Sequence, residues 1–149
     1  MNVIIRKATI QDVESISILF DNYRIFYKQT TDIENAKKFI SERLINNESI
    51  IFLLEVDSQI VGFTQLYPIF SSVSMNRTWL LNDLFVSEDS RGKGYADALV
   101  LAAQKFGVET TSKWLMLQTA IDNHAAQKVY ERNGWKKDDG AFTYYFTID

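Results

Sequence analysis

The chain has no cysteine, a single proline and a single histidine in 149 residues. Without cysteine there are no disulfides, no thiolate metal sites and no cysteine acyl-enzyme. With His124 as the sole imidazole, no metal site is expected either. Long hydrophobic runs are also missing: none approaches the roughly 18 apolar residues of a membrane span, so no membrane partner is expected. Nor is there a basic excess. Sixteen Lys and Arg stand against 19 Asp and Glu, for a net charge of -3 and a pI near 5.2, which argues against nucleic acid as a partner. The first residues, Met1-Asn2-Val3-Ile4-Ile5-Arg6-Lys7, read as a strand rather than a signal peptide. Together with the missing cysteines, this points to the cytoplasm. No repeat, low-complexity stretch or linker interrupts the chain.

What is present is ample core-forming material. Apolar residues make up 46% and aromatic residues 13%, so a folded chain is expected. The length suits one domain over 1–149. Val3–Ala8 reads as a strand, and Thr9-Ile10-Gln11-Asp12 as a capping box with Asp in place of the usual Glu. Val13, Ile16, Phe20, Tyr23 and Tyr27 then recur at helical spacing, and Ile33, Ala36, Ile40 and Leu44 do so again after Asp32. Ser49–Val56 and Gln59–Pro68 flank Asp57-Ser58 as a hairpin, followed by a polar loop from Ser71 to Arg77 and a strand over Thr78–Val86. A helix over Tyr95–Gly107 should bury Ala98, Leu99, Ala102 and Phe106. A strand over Trp114–Ala120 and a helix over His124–Asn133, ended by Gly134, come next. Trp135–Lys137 and Ala141–Ile148 should close as a hairpin around Asp138-Asp139-Gly140. The order βααβββαβαββ argues for one mixed α/β sheet with helices on its faces.

The junction at 81–99 is the most informative stretch. An apolar strand ending at Val86 leads through a polar turn into Arg91-Gly92-Lys93-Gly94-Tyr95-Ala96, which opens a helix. Free backbone N–H groups and the positive end of the helix dipole there suit a phosphate. A Walker A loop needs Ser or Thr after Gly-Lys, and Lys93 is followed by Gly94. A dinucleotide fingerprint needs a third glycine where this chain has Asp97. The Arg/Gln-x-x-Gly-x-Gly/Ala loop of the GNAT acetyltransferases fits at every specified position through Arg91, Gly94 and Ala96. The sequence resembles that superfamily over nearly its whole length. Asp83-Leu84-Phe85-Val86 matches the strand its members carry before the loop. Asn123, Ala126, Tyr130-Glu131 and Gly134-Trp135 are similar to its second signature, with Trp135 for the usual Phe.

The resemblance implies a GNAT fold: a central mixed, mostly antiparallel sheet of about seven strands flanked by four helices. Its parallel strands four and five, here Thr78–Val86 and Trp114–Ala120, would splay around acetyl-CoA. Backbone groups of Leu84, Phe85 and Val86 would then pair with the pantetheine arm. The pyrophosphate would lie on Arg91, Gly92, Lys93, Gly94, Tyr95, Ala96 and Asp97. Asn123 and Tyr130 lie seven positions apart on one helix face. By resemblance Asn123 contacts the arm, Ala126 permits its close approach, and Tyr130 is the acid that protonates the departing thiolate.

The implied reaction is direct transfer of the acetyl group from acetyl-CoA to a primary amine of a small molecule or peptide, in a ternary complex. Some members use a Glu as general base where this chain has Asn82, an amide that takes no proton at neutral pH. Asp83 faces the opposite way and reads as a structural partner, and ordered water is an equal route for the proton. His124, at a helix start, reads as a surface or cofactor-side residue rather than a catalytic one. The acceptor should enter near Phe26, Tyr27, Gln65, Tyr67 and Asn82. Phe26 and Tyr27 are adjacent, so one should face the cleft or a partner. An alternative function is an acyl-CoA-binding regulatory module without turnover, and a third is a small-nucleotide-binding protein using the same loop. The aromatic terminal strand Phe142-Thr143-Tyr144-Tyr145-Phe146 should be covered on both faces, by pairing or exchange at an edge, which suggests a homodimer.

Overall fold

A computed structural model describes residues 1–149, which divide into a unit of residues 1–118 and a unit of residues 119–149. The first unit holds β1 (Val3–Lys7), α1 (Val13–Phe26), α2 (Ile33–Ile45), β2 (Ile50–Val56), β3 (Gln59–Ser71), β4 (Asn76–Val86), α3 (Tyr95–Glu109) and β5 (Leu115–Met116). The second holds α4 (His124–Arg132). The strands form one sheet in the order β1-β2-β3-β4-β5, antiparallel except for the parallel pair β4 and β5. This is the mixed, mostly antiparallel sheet with four helices expected from the sequence.

Local chemistry explains the elements. Thr9 and Asp12 form the capping box, with Asp12 Oδ2 accepting from the Thr9 N–H at 2.7 Å. Asp12 also binds Arg6, which binds Glu55 in turn, so one guanidinium ties β1, β2 and the entry to α1 together. Asp57 and Ser58 have φ of 50° and 70°, the left-handed pair that a two-residue hairpin of type I′ requires. The run Ile50–Leu54 has no polar alternation because both faces of β2 are covered. On one face, Ile51, Leu53, Phe63 and Phe85 pack with Ile16, Leu19 and Phe20 of α1 and Ala36 and Ile40 of α2. On the other, Phe52 and Trp79 meet Phe106 of α3 ring to ring. α3 is turned one position from expectation: Leu99, Val100, Ala103 and Phe106 are buried, while Ala98 and Ala102 are half-buried.

Three boundaries differ from the sequence reading. The polar loop at 71–77 pairs at both ends, Ser71 with Asn76 and Phe70 with Arg77, because two long strands already in register extend their ladder at small cost. β5 is only Leu115–Met116, since the parallel ladder has two pairings, Trp79 with Leu115 and Leu80 with Met116. The sheet has five strands rather than about seven. Trp135–Lys137 and Ala141–Ile148 join no ladder, and the Asp138 carboxylate accepts locally from the Gly140 N–H at 2.8 Å. Strand-forming side chains do not make a strand without a backbone partner.

Within the second unit, Asn123 caps α4 by accepting from the Ala126 N–H at 3.2 Å. Gly134, with φ of 93°, ends it, and the Trp135 N–H donates back to the Tyr130 carbonyl at 3.1 Å.

Candidate functional site

The site is built on the last turns of β4. After Leu80 and Met116 no pairing joins β4 to β5, so Leu81–Val86 runs on without a parallel neighbour. This is the opening between the two parallel strands that the sequence reading anticipates. The three residues expected to offer backbone groups, Leu84, Phe85 and Val86, lie in this unaccompanied stretch. The Val86 carbonyl already accepts from Arg91 Nε at 2.9 Å.

The loop after β4 then turns into α3. Gly92 and Gly94 have φ of 75° and 80°, a left-handed backbone that costs any other L-residue energy. A Cβ at either would meet nothing within 4 Å, so both glycines serve the chain's path rather than packing. Gly94 is the N-cap of α3 and has no side-chain cap. The first N–H groups of α3, from Tyr95 to Asp97, therefore have no partner within the helix. Exposed Lys93 adds positive charge, Tyr95 buries its side chain, and Asp97 sits in the first turn, where a carboxylate complements the helix dipole. Arg91 does something the sequence did not announce. Its guanidinium lies 5.5 Å from the Phe26 ring and 5.4 Å from the Phe85 ring while Nε holds Val86. It thus fixes the loop to β4 and to the end of α1.

A polar network occupies the middle of the sheet beside this opening. Gln65 faces Asp83 and Leu66 faces Leu81, so Asn82 is an extra residue on β4, a bulge. The bulge leaves Asn82 exposed and Asp83 buried. Asp83 accepts from Gln65 Nε2 at 2.5 Å and from Asn82 Nδ2 at 2.9 Å. Gln65 Oε1 accepts from Ser49 Oγ at 2.7 Å. The Tyr23 hydroxyl donates to the Asn82 carbonyl at 3.3 Å. Burial raises the Asp83 carboxyl above its ordinary range, against the hydrogen bonds from Gln65, Asn82 and Tyr23 that favour its charge. Burial, and next the nearby Asp83, raise the Tyr67 phenol.

The structure therefore gathers Gln65, Tyr67 and Asn82 around Asp83 and adds Tyr23 and Ser49. Tyr23 reads in the sequence as a core residue of α1; it packs partly buried against the core, stacked on Phe20 and edge-on to Phe63 and Phe85, but its hydroxyl reaches the bulge. Ser49 carries no signal in the sequence, because only the β2–β3 register brings it to Gln65. Phe26 and Tyr27 are both exposed, at 53% and 46%, where α1 ends. Both thus lie off the core, although only one was expected to.

In the second unit Tyr130 is buried, its ring 6.0 Å from Trp135. Ala126 is half-buried and His124 exposed. The Asn123 side-chain oxygen is engaged in the cap. No group of His, Asp or Glu side chains is arranged to hold a metal ion. No helix is long and apolar enough to cross a membrane.

An open edge between parallel strands, followed by a left-handed glycine loop and a helix start with no side-chain cap, places the chain among mixed α/β folds whose loop suits an anionic group. The model of the acetyltransferase (GNAT) family matches residues 16–135. The chain belongs to this family of acetyltransferases. It is 45% identical over 144 residues, 97% of each chain, to the uncharacterized N-acetyltransferase YhfO of Bacillus subtilis (strain 168). The crystal structure of a probable acetyltransferase superposes with a TM-score of 0.92 at 37% identity, covering 100% of this chain and 99% of the other. A predicted acetyltransferase of Clostridium acetobutylicum solved with acetyl-CoA shares the fold, with a TM-score of 0.78, 16% identity and coverage of 97% and 96%.

Proposed function

We propose that the protein transfers the acetyl group of acetyl-CoA to a primary amine of a small molecule or peptide, by direct attack in a ternary complex. The observation that carries this is the unaccompanied edge of Leu81–Val86 running straight into the Gly92–Gly94 loop and the uncapped start of α3. An extended amide-bearing arm suits the edge, and an anionic pyrophosphate suits the N–H groups of Gly92 to Asp97 and the charge of Lys93. Asn123, the cap of α4, and Ala126 within it are the residues that the family resemblance assigns to the arm.

The chemistry divides among few groups. The substrate ammonium loses one proton to solvent through ordered water. Its nitrogen then attacks the thioester carbon and, as the C–N bond forms, sheds a second proton, which returns through water to the Tyr130 oxygen. The oxygen that gains charge would take a hydrogen bond from a backbone N–H of β4. The C–S bond breaks, and the thiolate takes the proton of the Tyr130 hydroxyl. Without a cysteine in the chain, no cysteine carries the acetyl group in between. Asn82 spends its amide on Asp83 and accepts no proton; Asp83 is the carboxyl beside it. The acceptor would approach over Phe26 and Tyr27 toward Gln65, Tyr67 and Asn82, aromatic faces that suit a cation. A cysteine-free chain fits the reducing cytoplasm, and we read the working molecule as a pair of chains.

The test is release of free CoA from acetyl-CoA across a broad panel of amines. The protein has no thiol of its own, so a thiol reagent reads CoA without background. Release with at least one amine is expected. Binding of acetyl-CoA with no release for any amine would replace this reading with a regulatory binding module.

A further inference from the structure

We propose that Arg91 is a positioning residue whose guanidinium, braced by Phe26, holds the Gly92–Gly94 loop in the shape that grips acetyl-CoA. Phe26, at the acceptor entrance, thereby sets the affinity for the cofactor without touching it. The loop needs support from outside. Gly92 and Gly94 have no side chains, and a Cβ at either would meet nothing within 4 Å, so no side-chain packing fixes the turn there. No backbone hydrogen bond starts from the N–H of Gly92, Lys93 or Gly94. Two glycines so close together also leave the backbone many alternative conformations.

Arg91 supplies the support from the loop's first position. Its Nε donates to the Val86 carbonyl at 2.9 Å, which fixes the side chain to the end of β4. Its guanidinium lies 5.4 Å from the buried Phe85 ring and 5.5 Å from the exposed Phe26 ring. Both are within the roughly 6 Å at which a ring face attracts a cation. The rings are themselves connected. Phe26 meets Tyr27 edge-on at 5.2 Å, Tyr27 meets Tyr23 at 5.0 Å, and Tyr23 meets Phe85 at 6.1 Å. Four rings and one guanidinium thus close a circuit joining the end of α1, the end of β4 and the loop. Tyr23, within that circuit, also bonds the Asn82 carbonyl at the bulge. A planar guanidinium can face rings while its Nε–H holds a carbonyl; a lysine ammonium has the charge without the plane. A phosphate contact by itself needs neither the rings nor Val86. An acceptor that displaces Phe26 loosens the loop's grip on acetyl-CoA, and by linkage the cofactor weakens that acceptor by the same factor. This rests on the reading that the loop holds the pyrophosphate of acetyl-CoA.

The experiment measures acetyl-CoA binding to the full chain by calorimetry, and the backbone order of residues 92–94 in the unliganded chain by NMR relaxation. Phe26 is 53% exposed, so its substitution should leave the fold intact, which circular dichroism checks. Phe26→Leu removes the ring and keeps every charge. It should weaken acetyl-CoA binding about two- to fivefold, the worth of one exposed cation–ring contact, and lower the order parameters of the loop. Phe26→Tyr keeps a ring and should hold both at the level of the unmodified chain. Arg91→Lys keeps the charge a phosphate needs and should still lose at least as much as Phe26→Leu. In the Arg91→Met background, Phe26→Leu should cost nothing further. Unchanged binding and order in Phe26→Leu overturn the assignment. Undiminished binding in Arg91→Lys also overturns it, by making Arg91 a simple charge on the phosphate. An equal loss from Phe26→Leu in the Arg91→Met background overturns it too, by putting Phe26 itself against the cofactor. If the unmodified chain binds no acetyl-CoA, the cofactor reading fails and this assignment with it; each of the other outcomes leaves that reading standing.

Discussion

Asp83 is buried at the bulge with no cation beside it, and its replacement tests how the site is held. Consider Asp83→Asn. The carboxyl accepts from Gln65 and Asn82, while Gln65 accepts from Ser49. An amide at position 83 would present one oxygen and one donor. The oxygen still serves Asn82. The new donor is accommodated if Gln65 rotates its amide by half a turn, offering its oxygen to position 83 and its nitrogen to the Ser49 hydroxyl, which also accepts. Every group stays paired, so the change should cost less than about 1 kcal/mol while the wild-type carboxyl is neutral.

The pH dependence follows from burial, which raises this carboxyl from its ordinary 3.8 in the folded chain. Between the unfolded and the folded pKa, the unfolded chain has lost the proton and the folded chain keeps it. Wild-type stability therefore falls as pH rises through that window and levels off above it. The variant has no such proton. Its stability relative to wild type should rise by about 1.4 kcal/mol per pH unit across the window and then stay constant. Asp83→Leu should behave differently, costing about 1–3 kcal/mol at acid pH because Gln65 Nε2 is left buried without an acceptor. Urea unfolding at fixed protein concentration, followed by tryptophan fluorescence from about pH 4 to about pH 8, reads all three chains. A gap between Asp83→Asn and wild type that is flat across this range, or that widens in favour of wild type as pH rises, would refute the reasoning.

Three further outcomes are expected. Gly94→Ala forces a left-handed φ on a residue with a Cβ and should cost about 1–2 kcal/mol; since nothing lies within 4 Å of that Cβ, a larger loss in thermal unfolding would mean packing, not backbone, needs the glycine. Tyr130→Phe should lower turnover while leaving the KM for acetyl-CoA nearly unchanged, and unchanged turnover removes the hydroxyl from the reaction. Arg6 holds Asp12 below its ordinary 3.8, so this pair contributes stability above that pH and loses it as pH falls through the lowered value. Arg6→Met should accordingly flatten the acid limb of the stability curve, and an unaltered limb would show that the acid unfolding starts elsewhere.

Much of the site was legible because it is local. A strand, a polar turn, two glycines and a helix start lie within one contiguous stretch, and such a junction needs only neighbouring backbone groups. The capping box at Thr9 and the type I′ turn at Asp57-Ser58 were legible for the same reason. The network around Asp83 was not. Asn82 and Asp83 point oppositely, as strand alternation requires, but which residues meet Asp83 depends on the β3–β4 register and on one extra residue at the bulge. Ser49 and Tyr23 reach the network from other elements, and no spacing in the sequence encodes that.

The sequence by itself determined the family, the strand–loop–helix junction at 81–99 and the mixed, mostly antiparallel sheet, since each is set by residue types at short separations. The tertiary structure decided three things that depend on partners far along the chain. It set Arg91 against Phe26 and Phe85, buried Asp83 without a cation, and left the strand-forming residues 141–148 without strand structure. A side chain's propensity is its own, but a ladder, a buried charge and a ring contact each need a second group, and only the fold chooses it.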